Sequence, residues 1–258
     1  MLSYQHAYHA GNLADVHKHA LLASALDYLT QKDKPLSYFE THAGRGLYRL
    51  DGAEAARTGE AAQGIGRVAG WFGPDHPYTR ARAMVAGEHG AAAYPGSPLI
   101  AAALLRLFDT ITLAELHPAE VAALRDCLPR RRIQVLQEDG FAMAHSRTPP
   151  DPRRGLMLID PSYEVKTDYD RIPGVLEQLH RKWNVGVVML WYPVLASGLQ
   201  RGMVRTLRTA FPEALSHEVG FPPARPGHGM VGSGMVVLNP PFGLAAEAAR
   251  LDALFASL

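Results

Sequence analysis

Four consecutive residues, Asp160-Pro161-Ser162-Tyr163, place a carboxylate, a proline-fixed carbonyl and an aromatic ring side by side. That set suits one demanding reaction, methylation of the exocyclic amine of adenine. The amine's lone pair is delocalised into the ring. A site must therefore accept both amine hydrogens and push the nitrogen toward tetrahedral geometry. The Asp160 carboxylate and the Pro161 carbonyl can accept them. Proline holds the turn, and Tyr163 can stack on an extruded base. A second tetrapeptide, Asn239-Pro240-Pro241-Phe242, fits the [Asp/Asn]-Pro-Pro-aromatic pattern more regularly. Position in the fold has to decide between the two.

Three other groups could serve a ligand. Glu40-Thr41-His42-Ala43-Gly44-Arg45-Gly46 reads as a glycine-containing turn after a short buried strand. Such a turn lets backbone approach a ligand closely. An ordinary tight turn fits equally, and the spacing falls short of the GxGxxG of a dinucleotide site. Glu115-Leu116-His117-Pro118 puts a carboxylate where ribose hydroxyls are commonly bound. It reads as well as a plain strand-end acid. In Glu138-Asp139-Gly140-Phe141, Asp139 can accept from an adenine amine, cap a helix, or do both. The histidines His6, His9, His17 and His19 crowd the N-terminus, but no acidic or cysteine partner sits at a matching spacing. A helix also turns His17 and His19 to different faces, so no metal is expected.

The elements that must position these groups are legible as periodic runs. Val16, Ala20, Leu21, Ala25, Leu26 and Leu29 form a helical stripe over 14–31, ended by Asp33-Lys34-Pro35. A buried strand follows at 36–40. Two weak helical patterns, 59–72 and 78–90, flank Gly73-Pro74-Asp75-His76-Pro77, and no strong strand appears near them. Residues 51–95 are thus expected to be a helical insertion in a main domain made of 1–50 and 96–258. Ser97-Pro98 reads as a serine cap with proline in the first turn, opening a helix to about Phe108. Beyond it, strands at 110–115, 133–137, 155–159, 186–191, 214–221 and 232–238 alternate with helices at 118–127, 140–146, 168–183, 197–211 and 244–257. This rhythm predicts a doubly wound, mostly parallel α/β sheet. No helix separates the last two strands, so one of them must enter antiparallel. Asp160 then ends the fourth strand, at the carboxyl edge where open α/β sheets bind ligands. Asn239 follows the last strand, and its end lies away from that edge if the strand is antiparallel.

Bulk properties narrow the class. With 258 residues, 47% of them hydrophobic, and a net charge of +1, the chain suits one large globular domain with a modest insertion. It is neither disordered nor broadly basic. Nucleic-acid contact would need local clusters, and Arg130-Arg131-Arg132, Arg153-Arg154 and Arg201/Arg205/Arg208 qualify. Each reads equally as a solvated face. The single cysteine, Cys127, excludes a disulfide framework and suits a reducing cytosol. The opening MLSYQHAYHAGN has no apolar core of a signal peptide, and no run approaches ~18 apolar residues, so a cytoplasmic location is expected.

Beyond single motifs, the chain resembles the bacterial 23S ribosomal RNA adenine-N6 methyltransferases of the RlmJ type. The resemblance rests on ordered blocks: Met1-Leu2-Ser3-Tyr4, His6, His9-Ala10-Gly11-Asn12, Ala14-Asp15-Val16 and Lys18-His19 near the start; then Asp33-Lys34-Pro35, Thr41-His42-Ala43-Gly44, Tyr94 to Ala101, Glu115-Leu116-His117-Pro118 and Asp139-Gly140-Phe141; then Lys166-Thr167-Asp168-Tyr169, Leu190-Trp191-Tyr192-Pro193 and Gly232-Ser233-Gly234-Met235. It implies a Rossmann-like class I methyltransferase with S-adenosyl-L-methionine as methyl donor. It implies cofactor contacts at His19, His42, Ser97, Glu115, Asp139 and Gly140, beside the Gly44 turn. Asp160 would be catalytic, with Pro161 and Tyr163, and Tyr4 would sit near the acceptor adenine. The implied partner is 23S rRNA, protein-free or in an early assembly intermediate, met by a monomer. Two residues depart from the family pattern. Ser162 replaces a second proline, which loosens the loop. Glu40 replaces an aspartate, a longer acid at a position expected to face the cofactor. A DNA adenine methyltransferase and a non-catalytic RNA-binding protein that kept the fold remain the alternatives.

Overall fold

Gly155–Ile159 is buried at every position, and so is Ser37–Glu40. Apolar runs of this kind belong to strands covered on both faces. The two lie side by side and parallel, Phe39 opposite Met157. A computed structural model, describing residues 6–129, 132–225, 227 and 229–258, shows the rest of the sheet around them. In chain order the first elements are α1 (Leu13–Thr30), β1 (Ser37–Glu40), β2 (Leu47–Arg49), α2 (Ala53–Thr58), α3 (Glu60–Gln63), α4 (Ile65–Val68), α5 (Pro77–His89) and β3 (Ala93–Pro95). Next come α6 (Ser97–Leu104), β4 (Thr110–Ala114), α7 (Pro118–Cys127), β5 (Ile133–Leu136), α8 (Gly140–Arg147) and β6 (Gly155–Ile159). The chain ends with α9 (Asp168–Lys182), β7 (Val187–Leu195), α10 (Arg201–Ala210), β8 (Leu215–Gly220), β9 (Met230–Leu238) and α11 (Leu244–Phe255).

The main sheet runs β5-β4-β1-β6-β7-β9-β8. The first five pair in parallel, and β9 enters antiparallel between β7 and β8. This is the expected doubly wound, mostly parallel sheet. Strand order reverses between β1 and β6, which opens a crevice outside their carboxyl ends. β6 is the fourth strand of this sheet.

Helices α2 to α5 occupy the chain between β2 and β3, and those two short strands pair antiparallel, Tyr48 opposite Tyr94. The sequence reading has no strand at either place. A three-residue ladder carries too little alternation to stand out. The apolar side chains of this stretch, Ile65, Val68, Phe72, Tyr78 and Ala81, join the cluster that holds Val16, Leu21 and Leu26 of α1.

Helix α6 differs from expectation at both ends. Gly96, not Ser97, occupies the N-cap, and no side chain caps it. The Ser97 hydroxyl points instead to Glu40. The helix stops at Leu104 rather than Phe108 because Arg106 leaves its axis to bind other backbone. Its guanidinium donates to the carbonyls of Thr30, Lys32 and Lys34, at and just beyond the end of α1. Asp109, its side chain fully buried, holds the same junction by accepting from Leu36 N at 2.9 Å, Arg106 N at 2.8 Å and Arg106 Nε at 3.0 Å. Asp109→Ala is expected to cost about 3–5 kcal/mol, since it strands the Leu36 and Arg106 amides and removes the carboxylate partner of the Arg106 guanidinium. A lower urea midpoint with unchanged slope checks this.

Candidate active site

The carboxyl ends of β1, β4, β5 and β6 surround one cavity of about 560 Å³. That size lies within the usual range for a small-molecule site. His19, His42, Gly44, Ser97, Glu115, Asp139, Gly140, Asp160, Pro161 and Tyr163 all line it, as does Ser162. Sequence-separated motifs are thus brought to one crevice at the strand-order reversal. Tyr4 lies outside the described residues, as do Arg130 and Arg131.

Each strand end presents its acid differently. Glu115 Oε2 accepts from Gly44 N at 2.9 Å and Oε1 from His117 N at 2.8 Å, so two backbone amides orient it. The first of these needs the Gly44 turn, whose φ of +60° is a conformation that favours glycine. Arg45, bulky for such a turn, swings outward into a two-pronged pair with Glu120 at 2.9 and 2.7 Å. Asp139 caps α8, accepting from Ala142 N at 2.8 Å. Gly140 opens that helix against the glycine turn. A Cβ there would lie 1.9 Å from the Thr41 carbonyl oxygen, so only glycine fits.

Asp160 has a partner, Lys18, to which the sequence alone assigns no role. Lys18 Nζ donates to Asp160 Oδ2 at 2.6 Å and also sits 3.1 Å from Asp15 Oδ1. All three side chains are largely or fully buried. The two acids and one ammonium carry one net negative charge. Burial alone would raise the Asp15 carboxyl, but His6, Lys18 and His19 hold it well below its ordinary value. Among the described residues, the second Asp160 oxygen accepts no hydrogen bond. No spacing rule reveals the Lys18 pair, because its members are 142 residues apart.

The N-terminal histidines are each spoken for. His6 Nε2 lies 2.9 Å from Asp15 Oδ2, and His9 Nδ1 lies 3.0 Å from both Glu60 oxygens. These are acidic partners that sequence spacing does not show. His17 and His19 do leave opposite faces of α1: His17 meets Ser233 and His217, and His19 meets Tyr94. Burial lowers His19 to about 3 and His42 to about 4, so both are neutral near pH 7.

Tyr163 lies at φ +57°, its ring 4.6 Å from that of Tyr169, its hydroxyl donating to the Trp191 carbonyl at 2.7 Å. The ring is buried to 7% exposure but lines the cavity. Glu40 departs from expectation. It does not line the cavity; it lies behind Ser97, fully buried, and accepts from the Tyr38 hydroxyl at 2.9 Å and from Ser97. Burial raises its carboxyl to about 8, against the opposing effect of the two hydroxyls. The folded protein therefore holds a proton there that the unfolded chain releases near 4.5, and stability is lost as pH rises through that window. Glu40→Gln is expected to flatten this decline, measured as urea midpoints across the same window.

Topology places the competing tetrapeptide away from the cavity. Because β9 is antiparallel, Asn239 lies at the opposite sheet edge, where its side-chain amide donates to the Asn184 carbonyl at 2.9 Å and the Gly186 carbonyl at 2.8 Å. Of the basic clusters, Arg153 and Arg154 bind backbone carbonyls of Lys182, Lys34 and Leu29, a structural use. Arg201, Arg205 and Arg208 are exposed on α10.

Around the whole cavity, seven carboxylates face one lysine and one arginine. Such a lining favours a cationic ligand and opposes a pyrophosphate. Among the described residues no group of acids, cysteines and histidines is arranged to hold a metal ion, and no helix is long and apolar enough to cross a membrane.

Comparison with known proteins gives the family. The chain is 40% identical over 251 residues to the Escherichia coli K12 protein "Ribosomal RNA large subunit methyltransferase J", spanning 95% of this chain and 89% of that one. It is 40% identical over 255 residues to the Haemophilus influenzae protein of the same name, spanning 96% and 90%. The crystal structure of protein LPL1258 from Legionella pneumophila superimposes with a TM-score of 0.85 at 34% identity, covering 96% of this chain and 93% of that one. Residues 33–257 match the family described as "Ribosomal RNA large subunit methyltransferase D, RlmJ", and the chain belongs to that family.

Proposed function

We propose that this protein transfers a methyl group from S-adenosyl-L-methionine to the N6 amine of one adenine in 23S ribosomal RNA. The observation that carries the reading is the Lys18–Asp160 pair at the fourth strand end of an acid-lined cavity, in a chain of this family. The cofactor supplies the methyl group from a sulfonium cation. The residues present fit it. Only glycine fits at position 140, Gly44 holds a positive φ, and the surplus of carboxylates suits a cation. Glu115 would bind the ribose hydroxyls and Asp139 the adenine amine, with His19, His42, Gly44, Ser97 and Gly140 shaping the rest.

The acceptor base enters unpaired, since a stacked base is out of reach. Asp160 and the Pro161 carbonyl hold the amine hydrogens, while Tyr163 and Tyr4 flank the ring. Positive charge grows on the amine nitrogen during transfer, and the negative Asp15–Lys18–Asp160 group offsets it. Most of the rate then comes from positioning and fixed charge. The methylated amine is acidic enough to lose its proton without a strong base. Residues 51–95 act as an inserted helical unit, and the protein works as a monomer on rRNA that is protein-free or early in assembly.

Incubation with tritiated cofactor should label protein-free 23S rRNA and leave duplex DNA unlabelled, with mass spectrometry placing the label on N6-methyladenine. Preferential labelling of duplex DNA would transfer the assignment to a DNA methyltransferase. No transfer, together with no calorimetric binding of S-adenosyl-L-methionine, would leave a non-catalytic RNA-binding protein.

A further inference from the structure

Trp191 lines the cavity, and Lys18 Nζ lies 5.5 Å from the centre of its ring. The indole is held from behind by a hydrogen-bonded chain that takes no part in the proposed methyl transfer. Trp191 Nε1 donates to Ser233 Oγ at 2.9 Å. Ser233, fully buried on β9, has its Oγ 2.8 Å from His17 Nδ1. His17 Nε2, on α1 and equally buried, lies 2.9 Å from His217 Nδ1 on β8. His217 Nε2 lies 2.9 Å from Asp252 Oδ1 on α11, a side chain 59% exposed at the surface.

With both imidazoles neutral, elementary chemistry gives the chain one direction. An indole N–H can only donate, and an ionised carboxylate can only accept. With Asp252 accepting, His217 carries its proton on Nε2 and accepts at Nδ1. His17 then donates from Nε2 and accepts at Nδ1, and that proton comes from the Ser233 hydroxyl. Ser233 Oγ in turn accepts from the indole. One proton arrangement satisfies all four contacts with both imidazoles neutral. Burial, with His217 alongside, lowers His17 well below its ordinary value, in keeping with a neutral ring.

We propose that Ser233, His17, His217 and Asp252 are positioning residues that fix the Trp191 ring relative to the Lys18–Asp160 pair, and so set the shape of the acceptor end of the cavity. The proposal rests on the assignment of Asp160 as the catalytic carboxylate. The main-chain side of Trp191 is already anchored by the Tyr163 hydroxyl at 2.7 Å. The Ser233 contact is what fixes the ring itself. Each ring in the chain has its tautomer set by the next group outward, so a contact at the surface reaches the cavity through fixed protons.

The chain has three tryptophans, so a ¹⁵N-labelled sample gives three indole N–H signals, and Trp191→Phe identifies the one of interest. Trp183, whose Nε1 donates to the Arg153 carbonyl, is an internal control. Ser233→Ala is expected to move the Trp191 signal, leave the Trp183 signal in place, and lower kcat on 23S rRNA on the order of tenfold, less than a full misplacement of about 1 Å would cost. KM for S-adenosyl-L-methionine should stay unchanged. Asp252→Ala, at the exposed end, should do the same to a smaller extent, and Asp252→Asn, which keeps a carbonyl acceptor, should restore both readouts. A Trp191 signal that stays put in both alanine variants overturns the relay. A moved signal with unchanged kcat overturns its positioning role. Asp160→Ala assayed alongside separates the two ideas: equal turnover there sinks the catalytic assignment, while the indole shifts are read independently.

Discussion

Asp160→Ala is expected to lower kcat for methyl transfer by at least about 10²–10³-fold, the range for removing one preorganised group aimed at developing charge. Cofactor affinity should hold. The Asp160 carboxylate is engaged by Lys18 at 2.6 Å, whereas Glu115 and Asp139 are oriented by their own backbone amides. The fold should hold too, because Lys18 keeps Asp15 at 3.1 Å and is not left as an unpaired buried charge. Single-turnover methylation of 23S rRNA gives the rate, calorimetry gives cofactor binding, and thermal unfolding gives stability. Wild-type turnover in this variant would remove Asp160 from the chemistry. The regular tetrapeptide at Asn239 offers a contrast: its side-chain amide ties β9 to the loop before β7 at the far sheet edge. Asn239→Ala should therefore cost stability and leave kcat alone.

How far the sequence was legible follows from which signals are local. Apolar runs and helical periodicity revealed the main sheet and its helices to within a few residues, since burial on both faces leaves an unbroken mark in strands such as Gly155–Ile159. An acid just past each strand end could be read as a cavity residue, because the edge that binds ligands is a property of the fold class. Orientation within a buried strand could not. Glu40 ends a run whose four positions are all buried, and only three-dimensional packing sends it toward Tyr38 and Ser97 rather than into the cavity. The same contact explains the misread helix start, since a serine before proline looks like a cap until its hydroxyl is recruited elsewhere. Long-range pairs are the other blind spot. His9 with Glu60 and His217 with Asp252 have no periodicity to betray them.

Lys18 is the clearest case of that blind spot and the second large expected effect. Its Nζ donates to Oδ2 of Asp160, and among the described residues the other oxygen accepts no hydrogen bond, so Lys18 can aim the carboxylate while leaving that oxygen for the substrate amine. Lys18→Met removes that aim but keeps the length of the stem against Trp191. A misplacement of about 1 Å costs on the order of 10²-fold when catalysis depends on alignment, and a loss in kcat of that size is expected, with KM for the cofactor little changed. Asp15 retains His6 Nε2 and Gly11 N, each at 2.9 Å, so its buried charge stays partnered and the variant should fold. Lys18→Arg should not restore the rate. A planar fork cannot take the place of a compact ammonium that reaches Asp15 and Asp160 from one point. If Lys18→Met instead lost thermal stability but turned over at the wild-type rate, the pair would be a structural tie, and the orientation of Asp160 would have to come from its own loop, where Ser162 follows Pro161.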